Sequence, residues 1–361
     1  MKRFGALALT LTAAFAAACS SSSSGSSSSN GDGGSSADAT YEKQVTTGMR
    51  DSIEAQLIVE LGAVKEIMDA APTPADRGWD ATLDADAIAK MKTSWGKARS
   101  AYEQIEGALA PLFPDVDYAT DARYDDFLAT IGSAGDQDLF DDQGVTGLHA
   151  IERILYADQI PASVVKFESG LAGYKAAAFP ATAAEAADFK NKLVKRLVTD
   201  VTNIAGQWKT AQLDLGGAFD GLTSLMNEQQ EKVRKAAQGE EESRYSQHTL
   251  QDLRDNLAGT RAVYGYFAPW IKTKTGGAAA DTKIQAGFDT LAAAYAVNSG
   301  EAIPEPPATW SSDDPSPDDL KTPFGVLFST VENAVDPTKD GSVVDEMNDA
   351  ARALGYAAFA E

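Results

Sequence analysis

Apolar side chains recur at intervals of three and four residues along most of this chain, whereas β-branched runs that alternate with a period of two are scarce. Two clear examples are Ile53, Leu57, Val64 and Ile67, and then Leu193, Leu197, Ile204 and Trp208. This spacing is typical of long amphipathic helices. Proline and glycine clusters divide the chain into helical segments, and no short repeat is evident. The sequence therefore predicts an all-α protein built from helical bundles rather than a solenoid.

The first 19 residues have the pattern of a lipoprotein signal peptide. Lys2 and Arg3 precede an apolar run over residues 6–18 that is too short to span a bilayer, and Cys19 follows three alanines. We predict cleavage after residue 18 and acylation of the Cys19 thiol, which would anchor the protein to a lipid membrane. The alternative is ordinary signal cleavage that leaves a free thiol.

Residues 19–40 consist almost entirely of small and polar side chains after the cysteine. Such a composition buries too little apolar surface to offset the entropy of ordering, so we predict a disordered Ser/Gly-rich linker. Residues 41–361 are long enough for one large or two ordinary domains.

The formal net charge of −22 restricts the possible partners. A strongly acidic surface repels nucleic acid and anionic lipid, so we predict no nucleic-acid partner. The same charge suits cations, although acidity can also serve solubility alone.

His149 and Glu152 are three residues apart in the segment GLHAIERILYAD. On a helix this spacing places both side chains on one face, beside the apolar face that contains Leu148, Ile151 and Leu155. Bundle proteins that bind iron or manganese use the same pairing of carboxylate and imidazole. For an isolated pair, a structural hydrogen bond or a solvated helix edge is the better explanation, so a metal site requires further ligands.

A second predicted helix, SWGKARSAYEQIEGALAPLF, places Arg99 and Glu106 on the same stripe as its aromatic residues. A buried carboxylate needs a partner, so Glu106 must meet Arg99, another helix or a cation. Glu103 lies four residues after Arg99 and is the more natural ion-pair partner. A structural ion pair and metal ligation both remain open for Glu106.

Asp121, Asp125 and Asp126 crowd the start of a further short helix in DYATDARYDDFLATIG. Acidic side chains at a helix N-terminus accept hydrogen bonds from free backbone N–H groups and meet the positive end of the dipole. Capping therefore explains these carboxylates. The alternative is that one of them points into the helical bundle instead.

Taken together, these segments resemble the imelysin family, and in particular its EfeO-type branch of periplasmic iron-uptake proteins. The resemblance runs from about Trp95 to Gly259 and includes G-x-H-x-x-E and the segment GEEESRYSQHTLQDLRDNLAG. It implies two four-helix-bundle-like halves with a boundary near residues 175–215. The metal ligands that it implies are Glu106, Asp126, His149 and Glu152, with Glu103 as an additional candidate.

One position departs from the resemblance. EfeO-type sequences commonly have a histidine directly after the Tyr-Ser pair, whereas Gln247 stands there and the histidine is displaced to His248. We therefore expect His248 to be a surface residue without a functional role.

The resemblance implies a non-enzymatic, lipid-anchored iron-binding protein, located in the periplasm or at the cell surface, that passes iron to a membrane permease. One imidazole with several carboxylates suits Fe²⁺ or Fe³⁺, and another divalent cation is an alternative. A metallopeptidase is a second hypothesis, although the H-E-x-x-H motif is absent. A third is a polysaccharide- or haem-binding surface lipoprotein whose cleft is lined by Trp79, Trp270 and Trp310.

Overall fold

The computed structural model describes residues 36–360, and every regular element in that range is helical. The α-helices are α1 (Ser36–Ala70), α2 (Ala85–Glu103), α3 (Glu106–Leu109), α4 (Pro114–Asp121), α5 (Tyr124–Ile131), α6 (Gly147–Leu155), α7 (Ala162–Glu168), α8 (Ala183–Asp188), α9 (Lys195–Trp208), α10 (Leu215–Ala236), α11 (Thr249–Ile271), α12 (Gly277–Ala296), α13 (Pro323–Val335) and α14 (Val343–Leu354). A π-helical turn, Phe189–Val194, joins α8 to α9. The prediction of an all-α protein is confirmed for the described part of the chain.

The helices form two groups that share one apolar core. In the first group, α1 packs against α2 and α9. Helix α4 contacts α9, and α6 contacts both α2 and α9. Helices α10 to α14 pack together in the second group. Helix α11 also contacts α1 and α2, so it joins the groups. The chain passes from one group to the other between Trp208 and Leu215.

Helix α1 begins earlier than the sequence predicts. The predicted linker extended to residue 40, but α1 starts at Ser36, so residues 36–40 are helical. The carboxylate of Asp38 accepts hydrogen bonds from Trp270 Nε1 at 2.6 Å and Lys274 Nζ at 2.9 Å, which ties this end to α11. The signal peptide, Cys19 and the rest of the linker lie outside the described residues.

The predicted helix over residues 94–113 is interrupted. Helix α2 ends at Glu103 and α3 starts at Glu106, with a turn at Gln104 and Ile105. Gly259 of α11 packs directly on this turn, where an added Cβ would lie 2.1 Å from the Gln104 carbonyl oxygen. The close approach holds α11 against the segment that carries Glu103 and Glu106.

We expect Gly259→Ala to destabilise the protein by about 1–3 kcal/mol, because the new methyl group must push α11 away from Gln104. Gly265→Ala, on the same helix, is the matched control, since a Cβ there meets no atom within 4 Å. It should leave stability unchanged or raise it by up to about 1 kcal/mol through helix propensity. Urea unfolding measures both variants, and equal effects would contradict the packing argument.

The three tryptophans that the polysaccharide-binding hypothesis would place in a cleft take part in packing. Trp79 and Trp270 are buried, at 8% and 3% exposure. The Trp310 ring packs edge-on against Phe324 and Phe328, with centroids 4.7 and 4.9 Å away. None of the helices within residues 36–360 has both the length and the apolar character needed to cross a membrane.

Candidate metal centre

Gly147 places the start of α6 against the end of α4. Its φ of +87° lies in the left-handed region, and a Cβ there would lie 2.5 Å from the carbonyl oxygen of Thr120. Only glycine permits this approach. It brings His149, two residues into α6, next to Asp121, the last residue of α4.

The side chain of His149 is 1% exposed and is held on one side by Glu152. His149 Nδ1 lies 2.7 Å from Glu152 Oε2. The other oxygen, Glu152 Oε1, accepts hydrogen bonds from the Tyr245 amide at 3.0 Å and from the amide and hydroxyl of Ser246 at 2.8 Å. Both oxygens of Glu152 are therefore occupied, and the carboxylate orients the imidazole.

The opposite nitrogen of the ring, His149 Nε2, faces two carboxylates. It is buried without a hydrogen-bond partner, and its ionic contact with Asp121 Oδ1 is 3.4 Å long. One ligand atom each from Asp121, His149 and Glu242 lies within 4.8 Å of the other two. We call these three residues the ligand triad. A histidine whose second nitrogen is held by a carboxylate is the usual arrangement of a metal-ligating imidazole.

Arg99 of α2 is fully buried in the same region and binds carboxylates from several elements. Its guanidinium pairs with Glu103 and Asp121, approaches Glu242 at 3.3 Å and lies 3.4 Å from Asp252 of α11. The predicted ion pair between Arg99 and Glu103 is present. A single permanent positive charge thus organises four carboxylates.

Glu103 and Glu106 meet Asn256 and Lys232 rather than the imidazole. The Asn256 amide donates to Glu103 Oε2 at 2.7 Å and to Glu106 Oε2 at 2.9 Å. Lys232 Nζ lies 3.4 Å from Glu103 Oε2 and 3.6 Å from Glu106 Oε2. Asn256 lies on α11 and Lys232 on α10, so these two carboxylates face the second helix group.

Asp126 caps α5, as the alternative explanation of the acidic segment predicts. Its carboxylate accepts the backbone N–H of Arg123 at 3.0 Å and Arg123 Nε at 3.2 Å. The aspartate that points inward to His149 is Asp121, while Asp125 pairs with Arg244 at 2.8 Å. Asp126 nevertheless lines a cavity together with Glu106, Asp121 and Glu242.

This cavity, of about 380 Å³, is lined by two residues of the ligand triad, Asp121 and Glu242. Its walls carry more carboxylates than cationic groups. The acidic residues are Glu106, Asp117, Asp121, Asp126, Glu228, Glu231 and Glu242, and the basic ones are Arg123, Lys232 and Lys235. An excess of buried carboxylate is compensated by protons or by a bound cation.

The pKa values of His149, Glu106 and Glu60 are raised, as this excess predicts, whereas at Glu242 burial is outweighed by Lys232 and Arg99, which lower the pKa of that carboxyl. Burial and the Arg99 guanidinium oppose protonation of His149, but the carboxylates of Asp121 and Glu152 raise its pKa to about 9. Burial raises the pKa of Glu106 to about 8 although Lys232 opposes it. Burial, together with the charge of Asp121, also raises the pKa of Glu60 on α1 to about 8.

We expect the ion-free protein to lose stability as the pH rises from about 6 to 9. His149 has a pKa above its unfolded value, so the stability from its protonated form is present below pH about 6.5 and is lost through pH about 9. Glu106 acts in the same direction up to pH about 8, because its neutral form is favoured in the folded state. The expected loss is at least about 2 kcal/mol. Urea unfolding of chelator-treated protein measures it, and stability that rises with pH would contradict it.

His248 is not the surface residue that the sequence predicted. It is 6% exposed, its Nδ1 lies 3.0 Å from Glu301 Oε2, and its ring packs edge-on against Trp95 with centroids 5.6 Å apart. His248 precedes α11 directly, and the contact of α11 with α2 buries it. It does not belong to the ligand triad.

Comparison with known proteins settles the family. The imelysin model, described as peptidase M75, matches residues 68–306, about two thirds of the chain. The chain belongs to the imelysin family. Within it, the chain is 25% identical over 221 residues to the iron uptake system component EfeO of Escherichia coli O1:K1 / APEC, and 24% identical to EfeO of Shigella flexneri. The prediction of an imelysin-family, EfeO-type chain is confirmed.

The extent of the match differs between sequence and structure. The aligned segment covers 60% of this imelysin-family chain and 48% of EfeO, so the chain spans about half the length of the curated relatives it matches. The crystal structure of an imelysin-like protein from Psychrobacter arcticum 273-4 superposes with a TM-score of 0.56 at 13% identity. It covers 89% of this chain and 97% of that protein, and it supports the imelysin fold.

Proposed function

We propose that this imelysin-family protein binds iron in the ligand triad and carries it toward a membrane iron permease. The observation that carries the proposal is that His149, whose Nε2 is buried without a hydrogen bond, and the carboxylates of Asp121 and Glu242 each place one ligand atom within 4.8 Å of the other two. The name of the EfeO relatives, an iron uptake system component, supports iron as the cargo. In this role the protein is a carrier and not an enzyme.

The donor set favours iron over several other ions. An imidazole with carboxylate oxygens suits Fe²⁺, Fe³⁺ or Mn²⁺, whereas structural zinc prefers thiolates and Ca²⁺ gains little from a nitrogen ligand. Three ligand atoms at about 2.0–2.2 Å from one ion lie at most about 3.8 Å from one another when equally spaced, so the ligand triad, whose atoms lie within 4.8 Å of one another, would contract around a bound ion. We assign Asp121, His149 and Glu242 as ligands, and Glu106 and Asp126 as cavity carboxylates near the approaching ion.

Glu152 takes the role of an orienting residue in this proposal. Its hydrogen bond to His149 Nδ1 fixes the ring, and the loop amides at Tyr245 and Ser246 fix the carboxylate. Such outer partners affect metal affinity by about 10- to 100-fold. Because both oxygens are occupied, Glu152 is poorly placed to act as the general base of a peptidase. We therefore favour carriage over peptide hydrolysis.

The sequence features outside the described residues set the proposed location. A signal peptide followed by an acylated Cys19 would hold the protein at a membrane surface, in the periplasm or outside the cell. From there the protein would meet iron before it reaches the permease.

The direct test is an anaerobic titration of chelator-treated protein with Fe²⁺, followed by calorimetry and by metal analysis of the separated protein. We expect saturation at one ion per chain, with proton release because His149 must be neutral to bind. Metal-dependent cleavage of peptides by the same preparation would favour the peptidase hypothesis. Failure to saturate with either Fe²⁺ or Fe³⁺ would contradict the proposed function.

A further inference from the structure

Lys232 is a buried cation on α10 that contacts a proposed metal ligand. Its Nζ lies 2.6 Å from Glu242 Oε2 and 2.9 Å from Asn256 Oδ1. The side chain is 8% exposed and forms part of the cavity wall. The Lys232 ammonium thus balances the charge of Glu242.

Arg99 is the other buried cation of the site, but the two residues differ in freedom of movement. The planar guanidinium of Arg99 is fully enclosed and is shared by carboxylates of α2, α4, α11 and the segment before α11. Lys232 has a compact charge on a flexible four-carbon stem. It also has two further carboxylates within reach, Glu103 at 3.4 Å and Glu106 at 3.6 Å. Lys232 can therefore leave Glu242 without losing every partner.

We propose that Lys232 is an internal competitor for the bound ion. It neutralises Glu242 in the ion-free protein and moves toward Glu103 and Glu106 when Glu242 binds iron. The inference rests on the proposed function. Its consequence is a lowered affinity for the ion, because binding must displace the ammonium from Glu242 and because the displaced ammonium still repels the ion across a short distance in a low-dielectric cavity. An ion held in this way is released readily to the next carrier.

Glu103 and Glu106 acquire a role through this inference. Asn256 donates hydrogen bonds to both carboxylates and accepts one from Lys232, so it holds the alternative position for the ammonium in place. The resemblance to the imelysin family implies that these two glutamates are metal ligands. The structure instead gives them the position of a second cradle for Lys232, beside the ligand triad.

The test compares Lys232→Met with Lys235→Met by calorimetric titration with Fe²⁺. Lys235 is on the same helix, lines the same cavity and pairs with Glu231, so its variant removes the same charge away from the ligand triad. We expect Lys232→Met to bind at least about tenfold tighter than wild type and Lys235→Met to change affinity less than about threefold. Iron should also raise the Tm of Lys232→Met by more than that of wild type.

The outcomes separate this inference from the proposed function. If wild type binds iron and folded Lys232→Met binds equally or more weakly, Lys232 is not a competitor and the inference is overturned. If neither protein binds iron, the proposed function itself fails. Lys232→Gln, which keeps a hydrogen-bond donor for Glu242, carries the same expectation if the methionine variant does not fold. Failure of both variants to fold would make Lys232 a structural residue and would also overturn the inference.

Discussion

The His149→Ala variant is expected to lose at least about a hundredfold in iron affinity. The substitution removes the one nitrogen ligand and leaves Asp121 and Glu242 to share the ion with the Arg99 guanidinium. Two carboxylates that already have a cationic partner bind a second cation weakly. Calorimetric titration with Fe²⁺ at constant pH measures the loss.

The matched control is His248→Ala, which removes the only other histidine. His248 is also buried and also has a carboxylate at Nδ1, at 3.0 Å in Glu301. It differs in lacking the pair of carboxylates that meets His149, so its variant should bind iron as wild type does. Equal loss in both variants would show that a buried histidine as such, rather than the ligand triad, determines binding.

The Arg99→Met variant is expected to lose about 3–5 kcal/mol of unfolding free energy in the absence of metal. Removal of the guanidinium leaves Glu103, Asp121, Glu242 and Asp252 close together without their shared positive charge. Burial of uncompensated carboxylates is the dominant cost, because methionine nearly fills the volume. Urea unfolding of chelator-treated protein gives the value.

Arg196→Met provides the comparison for Arg99. Arg196 forms an i,i+4 pair with Asp200 at 2.7 Å, and its side chain is 39% exposed. Solvent screens that pair, so the variant should lose less than about 1 kcal/mol. Iron should restore part of the stability of Arg99→Met, since a bound cation replaces some of the missing charge. Similar losses in the two variants would contradict the role of Arg99 as the centre of the charge network.

The sequence predicted the features that depend on local periodicity. Helical spacing placed His149 and Glu152 on one helix face, and the i,i+4 relation identified Glu103 as the partner of Arg99. These features involve residues within one helix, where geometry follows from position in the chain. The start of α1 was predicted less well, because Ser36 and its neighbours are small and polar while the contacts of Asp38 lie on α11.

The features that the sequence missed depend on contacts between distant elements. Glu242 lies between α10 and α11 in a run of three glutamates that reads as a solvated turn, yet it is 8% exposed. Only its place inside the segment shared with the imelysin family indicated importance. The residues alone left Asp121, Asp125 and Asp126 as candidates, and the resemblance selected Asp126, whereas the packing of α4 against α6 turns Asp121 toward His149. The burial of His248 likewise follows from the contact of α11 with α2.

The measurement that tests the central claim most directly is anomalous diffraction at the iron absorption edge from crystals of the loaded protein. The account predicts one iron bonded to His149 Nε2, Asp121 and Glu242, with Glu152 still hydrogen-bonded to His149 Nδ1. Iron bound instead at the separate acidic group of Asp340, Asp345 and Glu346, or only in the outer cavity at Asp126, would contradict it.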